Sequence, residues 1–191
     1  RNLLSFSKGR ELKASVVDPA RLLRDVVELF VEAARQDGIE VRAEAEAVLP
    51  APLDEEGIHD CLSNLVSNAL DACQLSEDPD RHVFVRCRDE GDELVFEVED
   101  DGCGMDREVQ KLAFTNFFTT KGSGGTGLGL LLTRKITQEH GGRIEFDSVT
   151  GRGTTFRLTF PRDRLPEPAT GETDHGDGES PASPGPQEET P

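Results

Sequence analysis

Apolar residues recur at helical spacing through Leu22, Leu23, Val26, Val27, Phe30 and Val31. Asp18-Pro19 precedes this run and Gly38 follows it, which predicts a capped amphipathic helix. Ile39, Val41, Ala43 and Ala45 then alternate, as in a strand. A second helical stripe holds Ile58, Leu62, Leu65, Val66, Ala69 and Leu70, starting near Asp54. Strands are predicted over Val83 to Cys87 and Leu94 to Val98, joined by a DEGDE turn. A glycine-punctuated stretch covers 101 to 126, with a short helix from about Asp106 to Ala113. A third long helix runs from Leu128 to His140 and closes on Gly141-Gly142. The last two strands are Ile144 to Phe146 and Thr155 to Phe160, linked through SVTGRG.

The ends differ from this middle. In residues 1 to 9, Leu3, Leu4 and Phe6 are followed by Lys8-Gly9, as at the end of a helix. Beyond Pro161 the chain is rich in Pro, Gly and acids, with eight acids against Arg162 and Arg164. Such a segment buries too little to offset its ordering entropy and is expected to be disordered. The expected organisation is an upstream helix end and linker at 1–15, one domain at 16–161, and an acidic tail at 162–191. The missing initiator Met suggests a piece of something longer.

Charge excludes several functions. The chain has 191 residues and a net charge of −17. That disfavours nucleic acid, which calls for a basic face, and an anionic membrane surface. No apolar run approaches the roughly 20 residues of a membrane span. Cys61, Cys73, Cys87 and Cys103 lack zinc-ligand spacing and read as reduced thiols.

Three stretches carry candidate chemistry. The first, FFTTKGSGGTGLGL, puts five glycines into positions 122 to 129, just before a helix. It suits a phosphate cradle, since glycine backbone and a helix N-terminus both present free N–H groups. A plain flexible loop would read the same way. The second, VEDDGCGM, ends a strand in acids beside Gly102 and Gly104. It suits either a carboxylate facing an amine edge or an acidic turn. The third, NLVSNALDA, sets Asn64 and Asn68 four apart on one helical face. Asn is a poor helix former, so a role is expected: a neutral ligand for Mg²⁺ that already carries phosphate oxygens, or backbone capping.

Taken in order, NLVSNALDA, DDGCGM, FTNFFTTK, GTGLGL and GRGTTF resemble the N, G1, F, G2 and G3 boxes of the sensor histidine kinase ATP-binding domain. That domain belongs to the GHKL, or Bergerat-fold, ATPase superfamily. The resemblance spans about residues 16 to 161. It implies a two-layer α/β sandwich, with a mixed sheet of about five strands, three helices on one face and a flexible ATP lid near 103–126.

It also implies site roles. Asn68 matches the Mg²⁺ ligand and Asp100 the acceptor of the adenine amine, with Asp101 the variable position. Gly102 and Gly104 let the base approach, and Thr154 lies near its bridging water. Lys121 resembles the basic residue near the terminal phosphates. Phe117 and Phe118 would anchor the lid, beside Thr119 and Thr120. Gly125, Thr126, Gly127, Leu128 and Gly129 frame the lid and the helix after it. Asp71 stands where some relatives carry Lys or Arg. Asn64 stands where the ATPase branches carry a water-activating Glu, and an amide cannot serve as that base.

The implied function is therefore protein-histidine kinase activity with ATP and Mg²⁺ as cofactors. The γ-phosphoryl would pass to a His on a dimerisation hairpin of the same or a partner kinase, and then to a response regulator. The full-length protein is expected to be a homodimer, and this domain cytoplasmic, without direct membrane contact. None of His59, His82, His140 and His175 sits in an acceptor context, so the acceptor is expected outside this chain. His140 reads as structural, partly positive at a helix end. The alternatives are a GHKL-type ATPase, an anti-sigma-like protein serine kinase and a nucleotide-sensing module without transfer.

Overall fold

The computed structural model describes residues 12–115 and 127–168. Helix α1 (Pro19–Gln36) starts as its cap predicts: Asp18 Oδ1 accepts from the N–H groups of Ala20 and Arg21 at 2.9 and 3.2 Å. Leu22, Leu23, Val26 and Val27 are buried along it. Val31 drops out of the expected stripe, being 42% exposed. Helix α2 (Glu55–Gln74) is capped by Asp54 and buries Ile58, Cys61, Leu62, Leu65, Val66, Ala69 and Cys73.

Five strands form the main sheet: β2 (Ile39–Ala45), β4 (Arg81–Glu90), β5 (Glu93–Asp100), β6 (Arg143–Val149) and β7 (Gly153–Pro161), in the order β2-β4-β5-β7-β6. β2 and β4 are parallel and the other pairs antiparallel. The sheet is mixed and five-stranded, as expected. One further element was not foreseen: β1 (Ser15–Val17) pairs with β3 (Ala51–Leu53) as a separate two-stranded sheet.

The period of two decides which side is buried. Val83, Val85, Cys87, Leu94, Phe96, Val98, Phe156, Leu158 and Phe160 alternate onto one face and join a core with α1, α2 and α4 (Gly129–Glu139). Fully burying each large apolar side chain is worth about 1.5–3 kcal/mol. The residues between them form an ion-paired outer face. Glu97, 7% exposed, accepts from Arg86, Arg88 and Arg157 on the two flanking strands. Arg86 also pairs with Glu44 and Glu99.

The fold runs past residue 161. Arg162 donates to Asp89 and to the Leu49 and Pro50 carbonyls, and Leu165 packs against the core. The four cysteines are free thiols, three of them buried.

Candidate nucleotide site

Helix α2 connects the two halves of the site. Asn64, Asn68 and Asp71 lie at i, i+4 and i+7, so they share one face. All three are half-buried. The C-terminal part of α2 touches the loop after β5, where Cys103 N–H donates to Ala72 O at 3.0 Å. The middle of α2 touches the start of α4, where Asn64 Nδ2 donates to Thr133 Oγ1 at 3.1 Å.

At the loop, Asp100 is the last residue of β5 and is 5% exposed. Its Oδ1 accepts from Gly102 N–H at 2.9 Å. Burial pushes its carboxyl up to about 7, against the backbone N–H groups of Gly102 and Thr154, which favour the charge. The nearby Asp101 and Glu99 charges add to the rise. A donor arriving beside a buried carboxyl at the edge of ionisation shifts it toward the charged form. Thr154 stands across the ladder from Asp100, and its hydroxyl lies 2.9 Å from Ser148 Oγ.

The loop needs glycine for close approach. A Cβ on Gly102 would come within 2.5 Å of Ala72 C, and one on Gly104 (φ +63°) would overlap Val149 O. Ser148 ties the loop down by accepting from Met105 N–H at 2.8 Å. Helix α3 (Arg107–Leu112) follows, and Gln110 Nε2 donates to Met105 O and Ser148 O at 2.9 and 3.0 Å. The first half of the expected lid thus rests on β6, with Phe114 packed on Phe146.

At the other end, no side chain among the described residues caps α4, whose cap residue is Leu128. Gly127 (φ +64°) leads into it. Gly129 takes up the contact with α2, since a Cβ there would overlap Asn64 Oδ1. Phe117, Phe118, Thr119, Thr120, Lys121, Gly125 and Thr126 lie outside the described residues. An open cavity of about 480 Å³, lined by Arg35, Ile39, Asp80 and His82 among others, sits by the sheet edge and includes none of the expected site residues.

Among the described residues, no group of three or more His, Cys, Asp or Glu could hold a metal ion. The oxygen donors on this face of α2 are the neutral amides of Asn64 and Asn68 and the carboxylate of Asp71. That set fits Mg²⁺, which takes few protein ligands when phosphate oxygens and water supply the rest.

Three contributors escaped the sequence reading. Thr133 and Ser148 are hydroxyls inside apolar or turn contexts. Asp101, the variable position of the motif, accepts from His82 N–H at 2.8 Å and lies 2.9 Å from His82 Nδ1. His140 needs a correction. Its Nδ1 donates to Ile136 O at 2.7 Å and its Nε2 accepts from Asp54 N–H at 3.0 Å, so the ring is neutral rather than partly positive.

A family model described as histidine kinase-, DNA gyrase B-, and HSP90-like ATPase matches residues 53–164. The chain belongs to that family. Its relatives in the family include the sensor kinase CckA of Brucella abortus (strain 2308), 34% identical over 175 residues, covering 85% of this chain and 18% of that protein. Among solved structures of the family, full-length ShkA in complex with AMPPNP superposes with a TM-score of 0.71 at 27% identity, over 82% of this chain and 32% of that one. Histidine kinase ThkA in complex with response regulator protein TrrA gives 0.69 at 28% identity, over 85% of this chain and 46% of that one. The α/β fold is that of the histidine kinase catalytic domains. The chain spans under a third of the length of the curated relatives it matches. No helix among the described residues is long and apolar enough to cross a membrane.

Proposed function

We propose that this chain is the ATP-binding catalytic module of a sensor histidine kinase, and that it passes the γ-phosphoryl of Mg-ATP to a histidine on a separate dimerisation hairpin. The observation that carries this reading is the span of α2. One helix joins the buried Asp100 carboxyl, at the Ala72–Cys103 contact, to the start of α4, at the Asn64–Thr133 contact.

In this reading Asp100 accepts from the adenine amine, while Gly102 and Gly104 let the base reach the backbone. Asn68, with Asn64 beside it, holds Mg²⁺ among the phosphates, and Asp71 borders them. The N–H groups at the start of α4 receive phosphate charge. Lys121 is assigned to the terminal phosphates. Magnesium supplies neutralisation of the charge that develops on the transferred group. No carboxylate stands at position 64 to activate water, so hydrolysis is slow and the phosphoryl waits for a protein nucleophile. The setting is cytoplasmic, because ATP is the substrate. Residues 1–15 are the end of an upstream dimerisation helix and a linker, the linker leading into β1 at Ser15; 16–161 form the catalytic domain, with Arg162 and Leu165 still held on it, and an acidic tail follows. The partners are the histidine-bearing domain of a homodimer and a response regulator. The ShkA structure with AMPPNP supports the nucleotide, and the ThkA complex with TrrA supports the response regulator.

The test follows the label of γ-labelled Mg-ATP, with and without a separately made hairpin bearing the acceptor histidine. Label on the hairpin with little free phosphate is the expected result. Rapid free phosphate without the hairpin would instead make the chain an ATPase.

A further inference from the structure

Thr133 is 1% exposed, on the second turn of α4. A hydroxyl has a single proton to give. Here that proton goes to Gly129 O at 3.0 Å, since a carbonyl can only accept. Thr133 Oγ1 is left as an acceptor, so the group of Asn64 standing 3.1 Å away must be its NH₂. The orientation of an Asn amide is ordinarily ambiguous; here the chemistry of its neighbour decides it. Asn64 Oδ1 then lies toward the first turn of α4, where it accepts from none of the described residues and where only the missing side chain of Gly129 leaves it room. The rail is anchored further back. Thr133 O accepts from Thr137 Oγ1 at 2.7 Å, and Cys61 Sγ of α2 lies 3.8 Å from the same oxygen.

We propose that Thr133 is the positioning residue for Asn64: by engaging the NH₂, it keeps Oδ1 turned toward the magnesium shell of the bound nucleotide. This rests on the nucleotide reading above. The physical need is one of sign. The NH₂ end of a carboxamide carries partial positive charge and repels a cation, whereas the oxygen end attracts it. Valine would fill the volume of Thr133 but accept nothing, so the amide could then turn either end to the metal.

The test compares wild type, Thr133→Val and Thr133→Ser, with Thr133→Ala as a second variant lacking the hydroxyl. Affinity for AMPPNP is measured by calorimetry, once with Mg²⁺ and once with a chelator. In the Val and Ala variants the magnesium-dependent gain in affinity should fall roughly three- to tenfold, the worth of one hydrogen bond. Their affinity without metal should stay near wild type, and the Ser variant should behave as wild type throughout. Equal losses with and without Mg²⁺ would reduce Thr133 to a docking contact, and an undiminished magnesium gain would also overturn the proposal. A second readout needs no nucleotide. The Asn64 side-chain NH₂ resonances should be shifted and slow to exchange in wild type and the Ser variant, and lose both properties in the Val and Ala variants. Identical NH₂ signals in all four proteins would overturn the proposal. Wild type that binds no AMPPNP would overturn the nucleotide reading, and this proposal with it, even where the NH₂ signals behave as expected.

Discussion

Gly129 lies so close to Asn64 that a Cβ on it would overlap Oδ1 and stand 2.8 Å from Cγ. Gly129→Ala therefore forces α4 away from α2 or turns the Asn64 amide. Overpacking of this kind costs about 1–3 kcal/mol. Part of that loss should appear as weaker Mg-ATP binding, because the displaced turn is the one expected to meet phosphate. Chemical denaturation read beside nucleotide calorimetry checks both halves. Wild-type affinity in a destabilised Gly129→Ala domain would detach this contact from the nucleotide.

Asp100 makes a pH prediction whose sign follows from burial. Its carboxyl is raised from 3.8 to about 7, so the nucleotide-free fold binds a proton there that the unfolded chain releases. The stability this contributes is fully present below about pH 4 and is lost as pH rises through about 7. A donor from adenine favours the ionised form, so binding should expel a proton near neutral pH and affinity should rise with pH through about 7. Calorimetry at pH 6.5 in two buffers of different ionisation enthalpy reads that proton directly. Asp100→Asn should abolish the buffer dependence and weaken binding by about 1.5–3 kcal/mol, the worth of a charged hydrogen bond.

Much of this arrangement could be read in advance, for a physical reason. The long helices and the five main strands carry their period in contiguous residues; Asp18 caps α1 as expected, and α2 starts beside Asp54. Gly102 and Gly104 were legible as places of close backbone approach, and they pack against the backbone of Ala72 and Val149; the role of Asp100 rested on the resemblance. The pairing of β1 with β3 was not legible, since three-residue strands, one containing Pro52, have no period to show. Thr133 escaped because a threonine in an apolar helical run reads as core, and its partner lies 69 residues away in the chain. The His82–Asp101 pair and the His140–Asp54 bond are likewise properties of contact across elements.

His140 offers a test of how α2 is seated. Its ring accepts from the backbone N–H of Asp54, the cap residue of α2, and donates into the last turn of α4. His140→Leu keeps the bulk but removes the acceptor. Losing the partner of a buried donor costs about 1–3 kcal/mol. The loss should be seen in urea unfolding, with nucleotide affinity little changed, because Asp54 stands away from Asp100 and from the start of α4. A large change in affinity without one in stability would assign His140 to the site instead.

Glu97 gives the outer face its own pH signature. Burial works to raise its carboxyl, but the guanidinium groups of Arg157, Arg88 and Arg86 outweigh burial and hold it below the usual carboxylate range. The sign is opposite to that of Asp100: the stability is present above the unfolded carboxylate range and is lost as pH falls through the lowered value. Glu97→Gln keeps the shape and one acceptor but leaves three arginines without their shared charge. Arg86 and Arg88 keep other carboxylate partners and all three guanidinium groups reach solvent, so the expected loss is about 1–3 kcal/mol. Urea unfolding at pH 7.5 and again at low pH checks it. The gap between wild type and Glu97→Gln should narrow as acid protonates the glutamate, and a gap that stays constant would mean that the ion pairs of this face contribute packing rather than charge.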